Sequence, residues 1–102
     1  MNVDENTHRE AFEKYASRII DLDSVEKVIL FGSVARNSHG INSDVDVFVK
    51  VEDMSEADKI EEAAFETAAD KGISITPIIK QYEDESSLMK DIKQEGVEYV
   101  RG

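Results

Sequence analysis

The sequence predicts an α+β fold, a small mixed β-sheet packed by about three helices in two layers, and three observations support it. Amphipathic helical stretches alternate with short apolar runs, as expected of strands joined by helices. The run Val28-Ile29-Leu30-Phe31 is too continuous for an exposed edge and reads as a strand buried on both faces. Residues 44–51 alternate valine with other side chains at a period of two, the pattern of a strand whose two faces differ.

With 102 residues, 40% of them hydrophobic, the chain can build one core, so a single domain over residues 1–102 is expected. Cysteine is absent, which excludes disulfides and thiolate metal sites and leaves carboxylates and histidine as metal ligands. A net charge of -11, from 23 acidic against 12 basic residues, argues against gripping nucleic acid by its phosphates. The same charge suits a basic partner or a salty cytoplasm, and equally a surface that is only well solvated. The first six residues lack the basic and apolar regions of a signal peptide, and no apolar stretch has the length of a bilayer span. A cytoplasmic location without membrane association is therefore expected.

Taken in order, Thr7 and Glu10 have the spacing of a capping box, and Phe12, Tyr15, Ala16, Ile19 and Ile20 follow on one helical face that ends near Leu22. His8 reads as a solvated residue at the helix start. Val25 to Phe31 is the first strand, central in the sheet. Gly32 breaks it, Ser33 to Arg36 forms a short helical turn, and residues 37–43 are dense in turn formers, with His39 on the loop surface. Asp44 to Val51 is the second strand, with Val45, Val47 and Val49 on one face and Asp44, Asp46 and Phe48 on the other. Ser55 and Asp58 open the next helix, which packs a small-residue stripe of Ile60, Ala63, Ala64, Thr67 and Ala68 and stops at Gly72. Ile73 to Ile79 is a third strand, and Pro77 assigns it to an edge or a bulge. From Asp84 a last helix turns Leu88, Met89 and Ile92 inward, stops at Gly96, and leaves Val97 to Val100 for a short terminal strand.

The chemistry concentrates between residues 32 and 46. Gly32 lets a bulky ligand approach the backbone, and Ser33 offers a hydroxyl and outward N–H groups suited to a phosphate. Arg36, one turn on, could add charge to that anion or simply be solvated. Asp44 and Asp46 are the stronger signal. Residues two apart on a strand share a face at roughly 7 Å, so their carboxylates repel unless a cation lies between them. Magnesium is the natural cation, since it is usually held by one or two carboxylates together with substrate phosphates. That assembly would position a nucleoside triphosphate for attack at phosphorus. The bland alternative places Asp44 at a strand start and Asp46 in solvent, but aspartate is depleted in strands and two between valines need a reason.

Gly32-Ser33, ten residues, then Asp44-x-Asp46 resembles the signature of the DNA polymerase β-type nucleotidyltransferase superfamily. At ordinary residue usage those four positions match by chance in roughly one chain of this length in a thousand. Val34-Ala35-Arg36 lies where that family has its Ala-Arg pair, and Asn37 stands where a glycine often follows, a residue that also tolerates the left-handed conformation. The similarity continues through Thr76-Pro77-Ile78-Ile79 and Asp91-Ile92-x-x-Glu95-Gly96-Val97. Within the superfamily the chain is most similar to the minimal nucleotidyltransferases, often encoded beside a helical HEPN protein as a toxin and antitoxin pair.

The resemblance implies a nucleotidyltransferase fold, magnesium on Asp44 and Asp46 as the catalytic carboxylates, and ATP phosphates on Gly32, Ser33 and Arg36. It implies transfer of AMP to a hydroxyl, and, with no residues for a further acceptor-binding domain, a hydroxyl on a partner protein, a HEPN toxin. One departure bears on turnover. Family members usually carry a third carboxylate on the strand after the crossover helix, and Ile73-Ser74-Ile75-Thr76-Pro77-Ile78 contains none. A one-metal mechanism, an acid lent by a partner, and a binding module that neutralises its toxin by contact all remain compatible. So does a homo-oligomer that builds a small-molecule acceptor pocket between subunits.

Overall fold

A computed structural model of the chain describes residues 6–100. Its elements run α1 (Asn6–Ile19), β1 (Val25–Phe31), α2 (Gly32–Ala35), β2 (Val45–Val51), α3 (Ala57–Lys71), β3 (Ile75–Lys80), α4 (Ser87–Glu95) and β4 (Val97–Glu98). Residues 1–5, on which the lack of a leader was read, lie outside the described residues.

The short connection after β1 allows an antiparallel return, and β1 pairs with β2 through Phe31↔Asp46, Leu30↔Val47 and Ile29↔Phe48. A parallel neighbour needs a longer crossover. α3 supplies it, so that β3 lies parallel to β2 with Asp46↔Thr76 and Val47↔Pro77 in register. β4 adds antiparallel to β1 through Leu30↔Val97, and the strand order is β3-β2-β1-β4. The sheet is thus mixed and four-stranded, β1 is central, and Pro77 lies in an edge strand, as its missing N–H requires.

The period of two along β1 and β2 sorts side chains to two faces. Val28, Leu30, Val45, Val47, Val49 and Val51 pack against Phe12, Tyr15, Ala16 and Ile19 of α1 and Ile60 and Ala64 of α3. On the opposite face Ile29, Phe31 and Phe48 pack against Met89 and Ile92 of α4. The α1–α3 layer is tied internally, because the buried Tyr15 hydroxyl donates to the Ile60 carbonyl at 3.1 Å. Arg18 likewise donates to Thr67 Oγ1 at 2.9 Å and to Asp70 at 2.7 Å. α4 covers only part of its face, so the Asp44 end of β2 stays open: Asp44 is exposed and Asp46 half-buried.

Several local expectations are corrected. α1 already includes Asn6, so Thr7 lies in its first turn rather than at its cap. The helix ends at Ile19, after which Ile20 and Leu22 continue as turn hydrogen bonds to Ala16 and Ile19. Ser55 does not cap α3. Its N–H and hydroxyl both go to Asp53 Oδ1, while Glu56, the N-cap, uses its carboxylate to accept the Ser24 N–H at 2.8 Å. Leu88 is 36% exposed, because α4 meets the sheet along a narrow stripe that Met89 and Ile92 fill. β3 begins at Ile75, two residues after the expected start, and β4 is two residues long. His8 is 1% exposed rather than solvated, because a loop from elsewhere in the chain covers it.

Candidate active site

β1 delivers Gly32 and β2 delivers Asp46 to one end of the sheet, where the antiparallel register sets Phe31 opposite Asp46. Gly32 has φ +78°, a left-handed value that side chains disfavour, and this lets the chain turn from strand into α2. Its bare Cα is also needed for space. A Cβ at Gly32 would sit 2.5 Å from Asp46 Oδ2, so the carboxylate occupies the room that glycine leaves. Asn37, just beyond the α2 C-cap, has φ +58°, the left-handed conformation the sequence allowed for.

The electrostatics of the pair follow from this placement. Burial is the main force pushing the Asp46 carboxyl above the ordinary carboxylate range, the charge of Asp44 adds to it, and Arg36 opposes both. Arg36 is itself engaged, with Nη1 3.0 Å from Glu95 Oε2 of α4. Both partners are substantially exposed, and an ion pair of that kind is worth under about 1 kcal/mol, so the guanidinium is available to a stronger anion. Of the expected residues, Gly32, Ser33, Asp44, Asp46 and Arg36 therefore all gather at one end of the sheet, with Glu95 as an added neighbour. His39 is turned toward His8 of α1, with ring centroids 4.5 Å apart.

Thr76 stands beside Asp46 on the parallel strand, at the position where a third carboxylate would complete an acidic cluster. Among the described residues no three histidine or carboxylate side chains group closely enough to hold a metal between them. The donor set is two carboxylates whose mutual repulsion a hard cation would relieve, and it fits magnesium completed by phosphate and water oxygens.

Sequence reasoning did not find the Glu95 partner of Arg36, which lies 59 residues away, nor the burial of His8. Only long-range packing makes these contacts, and no local pattern encodes them.

A family model described as a nucleotidyltransferase domain matches residues 10–99. The chain belongs to the nucleotidyltransferase family. The family read from Gly32-Ser33 and Asp44-x-Asp46 is borne out, and the matched span covers every residue of the site. Over 90 residues this nucleotidyltransferase is 37% identical to a protein of Methanocaldococcus jannaschii named "Putative protein adenylyltransferase MJ0141", spanning 85% of this chain and 90% of that relative. Among solved structures it is similar to a toxin-antitoxin structure with AMP-PNP, with TM-score 0.61 and 18% identity over 94% of this chain and 72% of that one. A mutant toxin-antitoxin MntA-HpeT structure gives TM-score 0.61 and 16% identity with the same coverage. At these identities the likeness is one of fold, and the mixed sheet with its flanking helices is the fold expected. Among the described residues no helix is long and apolar enough to cross a membrane.

Proposed function

We propose that this nucleotidyltransferase transfers AMP from ATP to a hydroxyl on a partner protein, a HEPN-type toxin that it thereby silences. The observation that carries the reading is the fit of Asp46 into the space left by Gly32, which brings the carboxylate pair against the turn best suited to phosphate. The protein adenylyltransferase name of the 37% identical relative supports the donor and the acceptor class. The toxin-antitoxin assemblies that share the fold support the partner.

Each residue has a role set by its placement. Gly32 admits the triphosphate close to the backbone, and Ser33 offers its hydroxyl and N–H to the same oxygens. Arg36 exchanges Glu95 for phosphate, a stronger partner because its charge is greater. Asp44 and Asp46 would hold magnesium, which when bound neutralises charge on the phosphates and aligns the attacking oxygen. The acceptor oxygen forms its bond to the α-phosphorus, the bond to the β-phosphate oxygen breaks, and pyrophosphate leaves with the hydroxyl proton released to solvent.

Incubation with the helical product of a neighbouring gene, labelled ATP and magnesium should label the partner. Asp44→Asn and Asp46→Asn should each abolish the label. An unlabelled partner that is nevertheless neutralised, by the wild type and by both Asn variants alike, would refute transfer. That result would establish the reading of the fold as a binding module, which Thr76 in place of a third acid favours.

A further inference from the structure

Two histidines that the carboxylate site does not use face each other across the fold. His8 of α1 and His39 of the loop between α2 and β2 have ring centroids 4.5 Å apart and planes tilted by 51°. His8 is 1% exposed. Neither of its ring nitrogens, nor Nδ1 of His39, makes a hydrogen bond of ordinary geometry among the described residues. Buried polar groups without partners are rare, and each asks for a reason.

The neighbouring side chain of α1 grips the same stretch of chain. Arg9 Nη2 donates to the Ala35 carbonyl at 3.1 Å and to Asn37 Oδ1 at 3.3 Å. The first turns of α1 thus hold residues 35–39 at two points, one polar and one aromatic. That stretch leads from the Gly32-Ser33 turn to Asp44, so its position sets how the turn and the exposed carboxylate face each other. Asp46 is fixed by the sheet register, whereas Asp44 lies just before β2, anchored on one side by the Val45 N–H, which donates to the Ser74 carbonyl at 2.8 Å, and carried on the other by the loop.

We propose that His8 and His39 are positioning residues, an imidazole pair that latches the 37–43 loop to α1 and so helps to hold Asp44 at the nucleotide site, and that acid opens the latch. The consequence for transfer rests on the function proposed above, while the latch itself rests on the loop geometry alone. Two neutral imidazoles can stack at this distance, but two imidazolium ions in a dry contact repel. Burial and then the charge of His39 push the His8 imidazole below its ordinary range, and the Ser43 backbone opposes this without the geometry of a full hydrogen bond. The charges on the surrounding elements are Arg9 on α1, Arg36 after α2, which Glu95 of α4 pairs, and Asp44 at the end of the loop. Asp44 is exposed, and it is not among the groups that bear on the His8 proton.

Amide hydrogen exchange of residues 38–44, corrected for intrinsic rates, tests the latch on the full chain without substrate. Protection in the wild type should fall by about tenfold or more between about pH 7.5 and about pH 5, in step with the His8 ring titration followed by NMR. His39→Phe keeps a ring on His8 but cannot take a proton, so its loop should stay protected at both pH values. His39→Ala should lose protection at both, and as a loop substitution it leaves the core intact. Wild-type protection that does not change with pH would overturn the proposal, and so would a His39→Phe loop as pH-sensitive as the wild type. Thermal stabilisation by Zn2+ in the wild type and not in His39→Ala would also overturn it, by making the pair a metal site. Failure of AMP transfer would show separately, as an unlabelled partner beside an intact exchange pattern.

Discussion

Asp46→Asn separates what the site does for binding from what it does for stability. In the folded chain Asp46 holds its proton more tightly than the ordinary carboxylate value of 3.8, because of burial first and Asp44 second. Folded molecules therefore bind more protons than unfolded ones just above that value. Stability falls as pH rises from below 3.8 through the raised value, and the penalty is complete above it. The share owed to Asp44 follows from geometry. Same-face strand neighbours are about 7 Å apart, and unit charges at that distance repel by about 0.6 kcal/mol in water and about 2.4 kcal/mol at an effective dielectric near 20. With Asp44 exposed and Asp46 half-buried, about 1 kcal/mol is the working figure, which corresponds to about 4–8 °C in Tm for a domain of this size. Asp46→Asn should melt higher than wild type by that margin in metal-free buffer at neutral pH, and the margin should shrink as pH falls through the raised value and be gone only well below 3.8, where folded and unfolded chains are both protonated. Magnesium with ATP should raise the wild-type Tm and leave the variant unmoved. An Asn variant that melts at or below wild type without metal would refute the claim that Asp46 is held ionised against its surroundings.

Gly32→Ala places a methyl 2.5 Å from Asp46 Oδ2 at a residue whose φ is +78°, so it should lose about 1–2 kcal/mol from the left-handed backbone and displace the carboxylate as well. Tm and labelled transfer should fall together, and retention of both would disprove the close fit. Ser86 caps α4 by accepting the Met89 N–H at 3.1 Å, so Ser86→Ala should lower stability by about 1 kcal/mol, read as a lower urea midpoint at unchanged slope. An unchanged midpoint would show that the cap contributes nothing.

What the sequence made legible is what local pattern encodes. The bounds of β1 were read correctly to the residue, because a continuous apolar run ended by Gly32 has one good interpretation. The faces of β2 followed from its period of two. Pro77 placed β3 at an edge because a missing N–H has few places to go. What failed was decided elsewhere in the chain. A polar residue at a helix start reads as solvated, yet the loop carrying His39 covers His8. Ser55 had the sequence of a cap, but Asp53 two residues earlier captured its hydroxyl and N–H. Arg36 was read as anion ligand or solvent residue, and a helix that starts 51 positions later supplied its present partner.

Four departures from good local chemistry gather around one segment of the molecule. Gly32 and Asn37 carry left-handed backbone, Asp46 carries a charge its surroundings oppose, and His8 is buried with no ordinary hydrogen-bond partner. All four lie on the segment from β1 to β2 or on the helix turn that holds it, while β1 and β2 pair in unbroken register from Lys27 to Phe31. A chain keeps such liabilities where a ligand is to relieve them, because an anion at the turn and a cation between the carboxylates would each offset a term the free protein leaves unbalanced. The free protein should therefore be least stable around this segment, and ligand binding should stabilise this segment before any other.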